Sequence, residues 1–144
     1  MRDGSARTNS FSARTYGFLY LRLSRRIQRR SLPSDRRVYR EWYRGIARFN
    51  MLKPFVQPGN HVFEVGSGIG CNLKQFESFG CNVRGIEPGE GFSQYSIEKM
   101  GLDVRCAFLE DLESEANQDQ HLVLLVHVLE HLPDPVDALK RIAH

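Results

Sequence analysis

Three scarcities bound this chain before any motif is read. No apolar run is long enough to span a bilayer, so nothing marks it as a membrane-crossing protein. Cysteine is sparse: Cys71, Cys81 and Cys106 lie far apart, form no Cys-x-x-Cys pair and are odd in number, which argues against a disulfide framework. They read as reduced thiols serving as small buried apolar residues, and the expected compartment is cytoplasmic. Lysine is absent from the first fifty residues, where thirteen arginines face three acids, while residues 51–144 carry seven Lys and Arg against fourteen acids. The formal net charge of +3 therefore hides a basic arm ahead of an acidic body. With 144 residues, 41% hydrophobic and 26% charged, the rest suits one domain that folds in water.

The arm occupies residues 1–33. Its first fifteen residues are small and polar and read as disordered. Residues 16–30 join an apolar cluster, with Phe18, Leu21 and Leu23 on one side of a helix, to Arg22, Arg25, Arg26, Arg29 and Arg30. Three uses stay open: a solvated helix over the body, a surface for anionic lipid or nucleic acid, and an organelle-targeting peptide.

The body begins at residue 34. Ser34 can cap a helix over residues 35–52, with Val38, Trp42, Ile46 and Phe49 as its apolar stripe. Strand and helix then alternate. Strands are expected at His61–Val65, Asn82–Glu87, Asp103–Ala107 and Leu122–Val126, and helices at Cys71–Phe79, Phe92–Met100 and Val136–Ala143. Such alternation predicts an α/β fold with a doubly wound parallel sheet. The continuous apolar run Leu122–Val126 reads as a strand buried on both faces.

The first strand enters a glycine-rich turn that opens a helix, Val62-Phe-Glu-Val-Gly-Ser-Gly-Ile-Gly70. Bare glycines let a ligand approach the backbone, and a helix start offers unpaired N–H groups. A dinucleotide fingerprint would need its third glycine at position 71, which is Cys71; the third glycine is Gly70. Here the chain resembles the class I, Rossmann-like S-adenosylmethionine-dependent methyltransferases, of the small-molecule type. The resemblance makes residues 34–144 the N-terminal part of a domain that binds S-adenosylmethionine as methyl donor. It assigns Glu64 to the methionine ammonium and Gly66, Ser67, Gly68 and Gly70 to the turn beneath the methionine and ribose.

Glu87, at the end of the second strand and followed by Pro88, can accept from two ribose hydroxyls, a device shared with nicotinamide proteins. In the family, an Asp and an apolar residue after the third strand contact adenine, which fits Asp111 and Leu112. The string Leu122–Pro135 closely resembles the family's fourth strand and following loop. It implies that His127 and Val128 lie along the cofactor, with Glu130 and His131 at the substrate mouth.

His131 is then the candidate base for a hydroxyl acceptor, against a merely packing role. The same string matches a zinc-protease pattern, His127-x-x-Glu130-His131. His127 follows a strand directly and Pro133 leaves little room for a helix, so no metal is expected. His121 stands where the family commonly has Asp and is given no role.

The family's sheet has seven strands, ordered 3-2-1-4-5-7-6, and only the first four are here. The expectation is a fold incomplete at its C-terminus, with an apolar edge strand and poor solubility. The expected activity is methyl transfer to a small-molecule acceptor. The rivals are a non-catalytic, nucleoside-binding remnant and a nicotinamide-dependent oxidoreductase.

Overall fold

The computed structural model describes residues 32–111 and 119–142. The Arg-rich arm through residue 31, Leu112 and residues 143–144 lie outside the described residues. Helix α1 (Asp35–Leu52) starts where expected: Ser34 is extended at ψ 153° and its hydroxyl oxygen accepts from Arg37 N. Strand β1 (His61–Val65), helix α2 (Cys71–Ser78), strand β2 (Asn82–Ile86), helix α3 (Glu90–Glu98), strand β3 (Val104–Arg105), strand β4 (Leu122–Leu125) and helix α4 (Pro135–Ile142) follow.

All pairings are parallel and the sheet order is β3-β2-β1-β4, the order the resemblance implies for the first four strands. β1 is central, with His61 opposite Asn82 on one side and Val62 opposite Leu122 on the other. After β1 the chain winds outward through β2 and β3, then crosses back to place β4 on β1's other side. The crevice beyond the carboxyl ends of β1 and β4 is thus a topological switch point, where open α/β sheets bind ligands.

Side-chain alternation splits the core into two layers. Val62 and Leu124 join Leu73, Phe76, Leu102 and Val104 beneath α1 and α2. Phe63 and Val65 join Ile86, Ala107, Leu109 and Ala138 on the α4 side. Edge-on ring contacts of Phe49 with Phe76 (5.2 Å) and Phe79 (5.5 Å) fasten α1 over α2. The close approach between these helices is at Gly45, where an added Cβ would lie 2.6 Å from the Cys71 carbonyl oxygen.

Several expectations are corrected. α3 starts two residues early because Gly89 O accepts from Phe92 and Ser93 N. It ends early because Gly101, at φ 69°, turns the chain out of the helix. β3 shrinks to Val104–Arg105, and past Arg105 it has no partner strand because β2 stops at Ile86. β4 is not buried on both faces: Leu124 is buried, whereas Leu122, Val123 and Leu125 are half-buried at the sheet's edge. Cys71 and Cys81 are buried free thiols, but Cys106 is exposed.

Candidate functional site

A cavity of about 470 Å³ lies at the switch point, within the usual range for small-molecule sites. The turn after β1 and the ends of β2 and β4 make its floor. α1 and the segment after β3 make its walls.

The floor rests on two buried carboxylates. Glu64 shares its strand face with Val62, so alternation points it toward α2, where Asn72 Nδ2 donates to Oε1 at 2.6 Å. Its other oxygen, Oε2, is buried with no hydrogen-bond partner, and so is Ser67 Oγ. A buried acceptor left unpaired is costly. Burial pushes the Glu64 carboxyl up to about 8, against the opposing pull of Asn72 and Arg48.

Glu87 is better satisfied. Its Oε2 accepts from Gly68 N at 2.8 Å and its Oε1 from Gly89 N at 2.7 Å. Burial still raises its pKa above the ordinary carboxylate value, moderated by those two N–H groups and by Arg37. Glu87 thus also ties the glycine-rich turn to the end of β2, as does the Ser67 N to Ile86 O bond (3.0 Å).

Within the turn, Gly66, Gly68 and Gly70 all have positive φ. At Gly66 the need for glycine is double: φ is 69° and a Cβ would lie 2.6 Å from Val128 Cγ2. The turn and the loop after β4 are therefore in direct van der Waals register. Gly66, Ser67 and Gly68 line the cavity, while Gly70 sits behind it as the left-handed N-cap of α2, against Ser96 and Leu102 of the α3 side.

The remaining candidates divide. Pro88, His127, Val128 and His131 line the cavity. Asp111 does not: it is exposed, and its Oδ2 accepts from Phe108 N at 3.1 Å, closing the single helical turn Leu109–Asp111. That segment's cavity contacts come from Ala107, Phe108, Leu109 and Glu110. His127 has φ 56°, the only positive value outside glycine among the described residues, and its Nδ1 lies 3.3 Å from Glu130 Oε1. Among the described residues no group of three or more His, Cys, Asp or Glu is placed to hold a metal ion.

Sequence reasoning missed four features. Asn72 orients Glu64 yet looks like any polar residue in a helix's first turn. Phe92 lines the cavity under the Arg37 guanidinium, 4.4 Å from the ring centroid. Cys71, beside Glu64, is pushed up to about 12 by burial and the nearby Glu41 and Glu64, so its thiol stays protonated. The cavity-facing flank of α1, with Arg37, Arg40, Arg44 and Arg48, did leave a signal: arginines at three- and four-residue spacing beside the apolar stripe.

Residues 63–144 match the sequence family described as the methyltransferase domain. No functionally curated protein matches the chain. Among solved structures it is similar to the magnesium protoporphyrin IX methyltransferase of Synechocystis with bound S-adenosylmethionine: 18% identity, TM-score 0.62, 98% of this chain and 73% of that one. It is also similar to a phosphoethanolamine N-methyltransferase of Haemonchus contortus in complex with phosphomonomethylethanolamine and S-adenosylhomocysteine: 21% identity, TM-score 0.56, 68% of this chain. A third likeness is to an S-adenosylmethionine-dependent methyltransferase of Thermotoga maritima, with 20% identity, TM-score 0.57 and 85% of this chain covered. The chain spans 24% of the Haemonchus protein's length and 55% of the Thermotoga protein's. At these identities the likeness is one of fold.

Proposed function

The chain belongs to the methyltransferase domain family, and from that premise we propose that its cavity binds S-adenosylmethionine and serves methyl transfer to a small-molecule acceptor. One observation carries the reading: Glu64 presents a buried carboxylate oxygen with no partner beside bare glycine backbone. An α-ammonium supplies the donors and the positive charge that this oxygen lacks. Ser67 Oγ, equally unpartnered, offers a second polar contact at the same place. The residues present therefore fit the methionine end of the molecule.

In this reading each element has one task. Asn72 holds Glu64 in place through Oε1 and leaves Oε2 for the ligand. Glu87 keeps the turn closed while its remaining acceptor capacity faces two ribose hydroxyls. Pro88, Phe108, Leu109, His127 and Val128 enclose the nucleoside. The expected adenine contact of Asp111 would need the turn it now closes to open. The donor, when bound, supplies a sulfonium methyl carbon with a good leaving group, so the protein's work is mainly alignment and exclusion of water. His131, which lines the cavity, would take a proton from a hydroxyl acceptor.

Calorimetric titration of the 144-residue chain with S-adenosylhomocysteine and, separately, NADH tests the reading. Saturable binding of the first and none of the second is expected. Tighter binding of NADH would replace this function with a nicotinamide-dependent one.

A further inference from the structure

The wall of the cavity holds more positive charge than the cofactor reading uses. Arg37, Arg40, Glu41, Arg44 and Arg48 all line it. At about 100° per residue these positions share about 100° of helical arc, beside the stripe of Trp42, Ile46 and Phe49. A charged flank ordinarily faces water; this one overlooks a ligand cavity. Glu41 supplies the only carboxylate on that flank, and its Oε1 accepts from both Arg40 Nε (3.2 Å) and Arg44 Nη1 (3.1 Å). One oxygen thus holds two guanidiniums side by side.

The other two arginines are engaged elsewhere. Arg48 Nη1 donates to Asn72 Oδ1 at 3.2 Å, next to Glu64, where the single carboxylate of the methyl donor would lie. Arg37 stacks on Phe92, near Glu87. Arg40 and Arg44 remain at the rim, with side chains 53% and 51% exposed. Each keeps N–H donors beyond the bond to Glu41. Two adjacent planar forks match the oxygens of a phosphate or carboxylate.

We infer that the methyl acceptor carries an oxyanion, and that Arg40 and Arg44 grip it at the cavity rim. This rests on the methyltransferase reading and names the substrate class within it. Glu41 is the placeholder that keeps two like charges together until the anion arrives.

The test uses the full chain saturated with S-adenosylhomocysteine, at constant ionic strength, with the emission of Trp42, the sole tryptophan, as reporter. Inorganic phosphate and succinate are titrated separately. At least one is expected to bind saturably; the tighter of the two tells whether the acceptor's anion is a phosphate or a carboxylate. The double variant Arg40→Gln/Arg44→Gln should weaken that binding by roughly tenfold or more. Arg36→Gln, which removes one positive charge from an α1 position outside the cavity, should change it by less than about twofold. Circular dichroism melts confirm that both variants fold. Equal losses in the two variants, no saturable binding of either anion, or displacement of S-adenosylhomocysteine by the anion would overturn the inference. Failure of S-adenosylhomocysteine itself to bind would instead bring down the methyltransferase reading, and this one with it.

Discussion

The two sides of the cavity are built differently. On the β1–β2 side the acidic groups are sealed: Glu64 is 1% exposed and Glu87 7%, and both are anchored by donors from neighbouring elements. On the β4 side the titratable groups stand in water, with the His127 side chain 76% exposed and that of Glu130 52%. The first side is preorganised, with its desolvation cost met on folding. The second is an open rim whose groups gain strength only when something covers them. The contrast between a sealed side and an open one can be broken or sharpened at named residues.

The largest effect is expected at Glu64. Glu64→Gln keeps the shape and the acceptor for Asn72 but removes the charge and puts an amide where the free oxygen was. A charge-assisted hydrogen bond of about 2–3 kcal/mol should be lost, which is roughly 30- to 150-fold in S-adenosylhomocysteine affinity by calorimetry. The fold should survive, because the amide, like the protonated carboxyl that burial favours, carries no charge to bury. An unchanged affinity would show that the buried oxygen plays no part in binding.

The same residue predicts two opposite pH dependences. The carboxyl sits at about 8 in the folded chain against 4.5 for the free side chain. Between those values the folded protein holds a proton that the unfolded chain has released. This contribution to stability is complete below about pH 4.5 and is lost as pH rises to about 8. The ligand-free Tm should therefore decline across that window, and Glu64→Gln should remove this part of the slope. Binding of an ammonium requires the carboxylate, so affinity should rise with pH over the same window, with proton release. Titrations in buffers of different ionisation heat would detect that proton.

Next in size is Gly45→Ala, which probes how the arginine wall is held. The new Cβ would meet the Cys71 carbonyl, a backbone atom that cannot swing aside. α1 and α2 would have to separate, at a cost of about 2 kcal/mol, the scale of overpacking a tight contact. Ordinary helix propensity predicts a gain of about 1 kcal/mol for this change, so the sign of the shift in Cm, measured by urea unfolding, decides between close packing and an incidental glycine.

How much of this could be read beforehand follows from the range of each signal. The strand order, the helix starting at Ser34 and the glycine-rich turn are local patterns, and local patterns are legible. Glu87 was legible because the strand–turn–helix context fixes where a carboxylate at a strand's end points, and Glu64 was legible through the family resemblance. The relation of Gly45 to Cys71 spans two helices and depends on a crossing geometry that no single segment encodes. The half-buried state of β4 depends on what lies beside it, and an apolar run reads the same at a sheet's centre or edge. Asp111 shows the opposite failure: a family-like position identifies a residue type, whereas its orientation depends on whether its oxygen caps its own turn. The resemblance pointed to His127 as a residue of the site, but its backbone conformation had no signal, since left-handed backbone at a histidine is a tertiary decision.

That last residue carries the smallest expected effect and the sharpest contrast with the sealed side. A non-glycine residue at φ 56° costs roughly 1–2 kcal/mol. His127→Gly removes that strain but enlarges the conformational freedom of the unfolded chain by about 0.5–1 kcal/mol. The exposed contact with Glu130 that it also removes is worth little at the surface. The balance is a stabilisation of about 0.5 kcal/mol, or a rise in Tm of about 2–3 °C. Under the proposed function, strain that a glycine would relieve at a residue lining the cavity is kept for its side chain and not for the fold. Methyl transfer should accordingly fall in the more stable variant, while S-adenosylhomocysteine affinity changes far less than in Glu64→Gln. If His127→Gly instead lost stability and left transfer untouched, His127 would be a structural residue and the open rim would have no chemical claim on it.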